Sequence, residues 1–173
     1  MRHVDLIISF LSKRKWKIRG QHFLIDERPA KKISQLTSLF SINTIVEVGA
    51  GLGFITEKLL KLRKFVIAVE IERELCAILR RKVEEYENLS IICGDILKIR
   101  FPKSSLIVGA PPYYLSTELI IKSIVSNVRG IILILQKEFS DKLVSKPGER
   151  NYSYLSCFIN AFGEVSIISN VNK

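Results

Sequence analysis

Short β-branched runs alternate with helical segments along most of this 173-residue chain, and that rhythm restricts the fold more than any other feature. Residues 44–48, 65–69, 89–93, 106–109 and 130–135 read as strands, the first of them short, apolar and closed by glycines, as befits a strand buried on both faces. Residues 29–40 place Ile33, Leu36, Leu39 and Phe40 at helical spacing, with Pro29 in the first turn. Residues 52–62, 72–85 and 115–125 also read as helices. Strands that alternate with helices imply right-handed crossovers and a mostly parallel, doubly wound α/β sheet. Residues 154–168 break the rhythm. Two extended segments there meet around Phe162 and Gly163 with no room for a crossover helix, so an antiparallel hairpin is expected at one sheet edge, completing seven strands.

In an open parallel sheet, ligands sit beyond the carboxyl ends of the strands, and the first strand ends in Glu47-Val48-Gly49-Ala50-Gly51-Leu52-Gly53. Glycines permit a tight strand-to-helix turn and let a ligand approach the backbone. The spacing is GxGxG, not the dinucleotide GxGxxG: Phe54 stands where a last glycine would let a helix pack around a pyrophosphate, which favours a Rossmann-like site for a cofactor without phosphates. Glu70 closes the second strand about 20 residues after the turn, where a carboxylate can accept from both hydroxyls of an adenosine ribose. The competing reading is a surface acid at a strand end. Asp95, in Cys93-Gly94-Asp95-Ile96, follows the third strand and can accept from an adenine amino group with Ile96 flanking the ring; Gly-Asp is equally common turn chemistry. A cationic sulfur would need acceptors nearby, and Glu47 is a candidate for that role.

Composition narrows the partners. With 47% hydrophobic and 25% charged residues and no repeats, the chain is an ordinary globular one. Lys and Arg number 27 against 17 Asp and Glu, a net charge of +10 that suits a polyanion, since each neutralised phosphate releases counterions. Much of the excess sits at the start: Arg2, Lys13, Arg14, Lys15, Lys17, Arg19, Arg28, Lys31 and Lys32 outweigh Asp5, Asp26 and Glu27. Residues 1–28 therefore read as a basic arm that either grips nucleic acid or is simply solvated. Asp5 interrupts the apolar stretch at residues 4–11 and the lysines follow it, the reverse of a secretory signal; the stretch is also too short to span a bilayer. A cytoplasmic protein without membrane contact is expected. Cys76, Cys93 and Cys157 are odd in number, widely spaced and free of C-x-x-C pairing, so reduced, buried thiols and no metal are expected.

Four segments resemble one family, the ribosomal RNA adenine dimethyltransferases. Gly20-Gln21-His22-Phe23-Leu24 is similar to its GQ[NH]FL signature, residues 46–53 to its glycine turn, and Ala68-Val69-Glu70-Ile71-Glu72-Arg73-Glu74-Leu75 to its AVEIDxxL stretch. Leu135-Gln136-Lys137-Glu138-Phe139, followed by Lys146-Pro147-Gly148, is the fourth. The resemblance implies a methyltransferase domain over residues 29–173 that binds S-adenosylmethionine without a metal. It implies a pocket lined by Gln21, His22, Leu24, Gly49, Gly51, Glu70, Ile71, Asp95, Ile96 and Ala110. On the residues alone, His22 reads as a surface or hydrogen-bond-satisfied histidine and Leu24 as core.

The same resemblance implies dimethylation of the exocyclic amine of adenosines in small-subunit ribosomal RNA during ribosome biogenesis, by a monomer whose Lys13, Arg14, Lys15, Lys17 and Arg19 contact the RNA. The family's N-[LP]-P-[YF] loop corresponds to Ala110-Pro111-Pro112-Tyr113. There the asparagine and the following carbonyl accept from the amine, and the aromatic ring stacks on a base drawn out of its helix. Two prolines keep that carbonyl accessible and the loop stiff. Ala110 is a departure, because a methyl group accepts no hydrogen bond. Either a neighbour such as Tyr114 or Ser116 substitutes, or the chain is a non-catalytic RNA-binding assembly factor that keeps the fold. Tyr114 otherwise reads as core packing. The family also carries a small helical domain after the sheet, expected to be absent here because the chain ends at Lys173.

Overall fold

The computed structural model describes residues 27–170. They divide into two compact units, one through Ile134 and one from Leu135 onward. In the first unit, α1 (Glu27–Ser38) leads into β1 (Thr44–Val48), α2 (Phe54–Leu60), β2 (Phe65–Glu70), α3 (Arg73–Lys82) and β3 (Leu89–Cys93). A 3₁₀ turn (Ile96–Lys98), β4 (Leu106–Gly109), a second 3₁₀ turn (Tyr113–Leu115), α4 (Ser116–Val125) and β5 (Gly130–Leu133) complete it.

The sheet is parallel throughout, in the order β3-β2-β1-β4-β5. Central β1 and its neighbour β4 are the most deeply buried strands, β4 at all four positions and β1 at all but Thr44. On one face Ile45, Val66, Ala68, Leu106 and Val108 pack with Ala30 and Ile33 of α1, Ile55 and Leu59 of α2 and Leu79 of α3. On the other, Val46, Val48, Val69 and Ile107 pack with Leu119 of α4 and with Ile96 and Phe101. Alternation along each strand thus feeds two cores, and each fully buried Leu or Ile contributes about 1.5–3 kcal/mol.

Strand register brings the carboxyl ends of β1, β2, β3 and β4 to one edge: Val48 pairs with Val69 and with Gly109, and Glu70 pairs with Cys93. At that edge Gly109 has φ 148°, and a Cβ there would stand 2.4 Å from the Val48 carbonyl oxygen. Only glycine lets β4 leave the sheet toward Ala110 this close to its neighbour.

The second unit corrects the expected ending. Five parallel strands form the sheet among the described residues, not seven, and no antiparallel hairpin follows. Residues 137–144 and 154–162 are instead helices, α5 (Lys137–Val144) and α6 (Tyr154–Phe162). The Ser153 and Ser156 side chains form a reciprocal capping box that opens α6. Leu155 and Ile159, four residues apart, are its buried face, and the Phe158 and Phe162 rings pack 4.9 Å apart. The apolar density of Tyr154-Leu155-Ser156-Cys157-Phe158-Ile159 suits either period, and the cap decides for the helix. Gly163, expected as a hairpin turn, is the residue at which α6 ends.

The cysteines also differ from expectation. Cys76 and Cys93 form a disulfide, their Cα atoms 6.1 Å apart, and Cys157 is exposed. Seventeen residues separate the pair in sequence, and β2-α3-β3 folds them together.

Candidate cofactor site

The rim of the parallel sheet gathers the glycine turn, both strand-end acids and the proline loop. Gly49, Gly51 and Gly53 all have positive φ, at 68°, 55° and 83°, a sequence of conformations that side-chain-bearing residues resist. The Gly49 and Ala50 amides donate to the Val69 carbonyl at 2.9 and 3.1 Å, and the Gly53 amide donates to Ala50 at 2.8 Å. The Gly51 amide donates to Glu70 Oε2 at 2.9 Å, so the turn is bonded directly to the acid at the end of β2. Glu70 Oε1 accepts from the Glu72 amide at 3.0 Å.

Glu70 is nearly buried, and burial raises its carboxyl above the ordinary range against the opposing pull of the Glu72 and Gly51 amides. Each carboxylate oxygen holds a further lone pair for a ligand hydroxyl. Its backbone carbonyl accepts from the Gly94 amide at 2.9 Å, which ties the β2 end to the loop bearing Asp95. Asp95 caps the first 3₁₀ turn, Oδ1 accepting from the Leu97 amide at 2.9 Å. Turn chemistry thus occupies one of its oxygens. Ile96 is buried with Val46, Val48 and Leu119, whereas Ile71 is 54% exposed beside Glu70, an apolar surface open to a flat ring.

Across the rim the turn faces the proline loop: a Cβ on Gly49 would be in ordinary contact with the Ala110 carbonyl oxygen, at 3.6 Å, and the positive φ of 68° is what calls for glycine there. Pro112 is extended (φ −57°, ψ 145°) and starts the second 3₁₀ turn. Tyr113 and Tyr114 are 59% and 65% exposed. Tyr114 is therefore a surface ring, not core packing. Ser116 is buried. Gln21, His22, Leu24, Lys13, Arg14, Lys15, Lys17 and Arg19 lie outside the described residues.

Glu47 lies below this rim, fully buried, and among the described residues neither of its oxygens has a hydrogen-bond partner. Burial pushes its carboxyl up to about 8, although the Thr56 hydroxyl and amide face it and act in the opposite sense. The Thr56 hydroxyl is itself unbonded, so these groups approach Glu47 without hydrogen-bond geometry. A neutral acid supplies no full negative charge to a cationic ligand.

Lys82 carries no signal of a site role in the sequence. It ends α3, where a cation complements the helix dipole and so draws no notice. In the structure its Nζ donates to the Leu52 carbonyl at 3.0 Å, pairs with Glu57 at 2.6 Å and lies 4.6 Å from the Phe54 ring centre.

An adenosine-type cofactor fits this set of groups: a Cβ-free turn, the nearly buried Glu70 bonded to it, the exposed apolar Ile71 and a second acid, Asp95, after β3. No group of three or more His, Cys, Asp or Glu among the described residues is placed to hold a metal ion. No described helix is long and apolar enough to cross a membrane.

A parallel β3-β2-β1-β4-β5 sheet with a glycine turn after β1 and an acid closing β2 defines a Rossmann-like α/β domain of the methyltransferase kind. The model of the ribosomal RNA adenine dimethylase family matches residues 13–173. The chain belongs to that family. It is 37% identical over 172 residues to a probable ribosomal RNA small subunit methyltransferase A of Methanosarcina acetivorans, covering 97% of this chain and 63% of that one. Ribosomal RNA small subunit methyltransferase A of Thermotoga maritima is 36% identical over 155 residues, covering 89% and 56%. The chain thus spans about three fifths of the length of the curated relatives it matches. Among solved structures, the 23S rRNA methyltransferase ErmE superposes with a TM-score of 0.67 at 25% identity, over 71% of this chain and 51% of that one. A dimethyladenosine transferase from Plasmodium falciparum gives 0.62 at 29% identity, over 75% and 48%.

Proposed function

We propose that this chain is the catalytic part of an enzyme that dimethylates the exocyclic amine of adenosines in small-subunit ribosomal RNA during ribosome biogenesis, with S-adenosylmethionine as methyl donor. The observation that carries the proposal is the direct bond from the Gly51 amide to Glu70 at the rim that also bears the Ala110-Pro111-Pro112-Tyr113 loop. Family membership and the names of the relatives support it, and they favour the enzyme over a non-catalytic assembly factor.

In this reading Glu70 accepts from the ribose hydroxyls, Asp95 from the adenine amine, and Ile71 and Ile96 flank the base. Gly49 and Gly51 leave space for the methionyl end, with Gln21, His22 and Leu24 closing the pocket. Bound S-adenosylmethionine supplies an electrophilic methyl group on a cationic sulfur. The chain's own work is positioning, in which an amine held in line reacts far faster than a free one. The Pro111 carbonyl accepts from the amine, Pro111 and Pro112 keep that carbonyl accessible and the loop stiff, and the exposed Tyr113 ring stacks on the target base. Residues 1–28 form the basic arm, in which Lys13, Arg14, Lys15, Lys17 and Arg19 neutralise RNA phosphates, and residues 29–173 form the methyltransferase domain. The protein works as a cytoplasmic monomer without a metal.

The test incubates the protein and its Ala110→Asn variant with labelled S-adenosylmethionine and unmethylated small subunits. Label should enter the RNA, and Ala110→Asn, by restoring an acceptor, should raise turnover by about 10²-fold. If both proteins bind cofactor and neither transfers label, the assignment is wrong.

A further inference from the structure

The glycine turn has three residues at positive φ, which glycine adopts without being fixed there, so beyond its internal Gly53–Ala50 bond its shape depends on partners outside it. Two of these belong to the site itself: Val69, which takes the Gly49 and Ala50 amides, and Glu70, which takes the Gly51 amide. Both hold the first half of the turn. The second half is held from α3. There Leu79 Cδ1 is 2.6 Å from where a Cβ on Gly53 would sit, which presses the helix directly on the turn. One turn of helix further on, Lys82 Nζ donates to the Leu52 carbonyl at 3.0 Å.

Three features suit Lys82 to this task. Its bond to Leu52 is charge-assisted, and such bonds are shorter and stronger than neutral ones. Glu57, in the first turn of α2, pairs with the same ammonium at 2.6 Å, and the Phe54 ring lies against it at 4.6 Å. Its side chain is only 20% exposed, so water competes weakly for the same protons.

We propose that Lys82 is a positioning residue for the cofactor: acting through the Leu52 carbonyl, it sets the glycine turn in the shape that delivers the Gly51 amide to Glu70, and it touches no ligand. The proposal rests on the reading of this rim as an S-adenosylmethionine site. Holding the turn in its bound shape removes an ordering cost from binding.

The experiment measures S-adenosylhomocysteine binding by calorimetry, and amide hydrogen exchange without ligand, for the full chain and for Lys82→Met and Lys82→Arg. Lys82→Met should weaken binding about tenfold, and Lys82→Arg, which keeps a charged donor, should recover to within about threefold of the parent. In Lys82→Met, exchange should quicken at Gly51 and Gly53 while the β1 and β4 amides keep their protection. Should the methionine variant fail to fold, Lys82→Leu, which likewise has no donor, serves in its place with the same expectation. Unchanged binding in Lys82→Met overturns the proposal, as does an equal loss in the arginine variant. Quickened exchange throughout the sheet also overturns it, because Lys82 would then support the whole domain and not the turn. If the parent protein itself binds no S-adenosylhomocysteine, the cofactor reading falls, and this proposal with it.

Discussion

Glu47 is an acid enclosed by a core without a hydrogen-bond partner among the described residues, and its protonation is coupled to folding. Its carboxyl is raised to about 8 in the folded chain, so between the ordinary carboxylate range and pH 8 the folded state holds a proton that the unfolded state has released. The stability this proton confers is complete at low pH and is lost as pH rises toward 8. Glu47→Gln, which is neutral at every pH, should unfold at higher urea than the parent at pH 8, by on the order of 4 kcal/mol, with most of the gap closed by pH 5. Parallel urea curves at the two pH values, with no change in the gap, would count against it. Glu70 makes the opposite kind of contribution, because its value lies in what it accepts. Glu70→Ala should cost about 2–3 kcal/mol of S-adenosylhomocysteine affinity, roughly 30- to 150-fold, measured by calorimetry at a temperature where the variant is folded. Undiminished affinity would remove Glu70 from the site.

At the scale of elements, the local code was readable where period and length agreed. Residues 44–48, 89–93 and 106–109 were expected as strands and are strands with those bounds, because short β-branched runs flanked by turn residues leave little alternative. The helix expected over 115–125 forms as α4, and the strand expected over 130–135 ends at Leu133. The ending departs from the expected hairpin for a physical reason: Tyr154-Leu155-Ser156-Cys157-Phe158-Ile159 is apolar on nearly every side, so its period is ambiguous, and Gly163 is compatible with a turn. The deciding residues are Ser153 and Ser156, which satisfy backbone amides at the start of α6. Ser153→Ala should therefore destabilise that helix by about 1 kcal/mol, seen as faster amide exchange over residues 154–162 with little change in β1 or β4. Unaltered exchange in α6 would show that packing alone holds it.

Across the whole molecule, the Cys76–Cys93 bridge links α3 to the end of β3, and it acts chiefly on the unfolded chain by closing a loop across 17 residues. Cys93→Ser should lower unfolding stability by about 3 kcal/mol under oxidising conditions, and reductant should bring the parent down to the same urea midpoint while leaving the variant unmoved. A parent insensitive to reductant would show that the bridge carries no stability. The sequence by itself determined the parallel α/β class and the positions of Gly49, Gly51, Glu70 and Asp95 at strand ends, because these follow from hydrophobic period and from turn chemistry acting over a few residues. Tertiary structure alone decided the rest. It set which strands neighbour one another, and with that the Gly51–Glu70 bond across 19 residues and the Lys82–Leu52 bond across 30. It also buried Glu47 deeply enough to neutralise it and left Tyr114 on the surface. Each of these depends on groups distant in sequence and adjacent in space, and periodicity carries no information about such pairs.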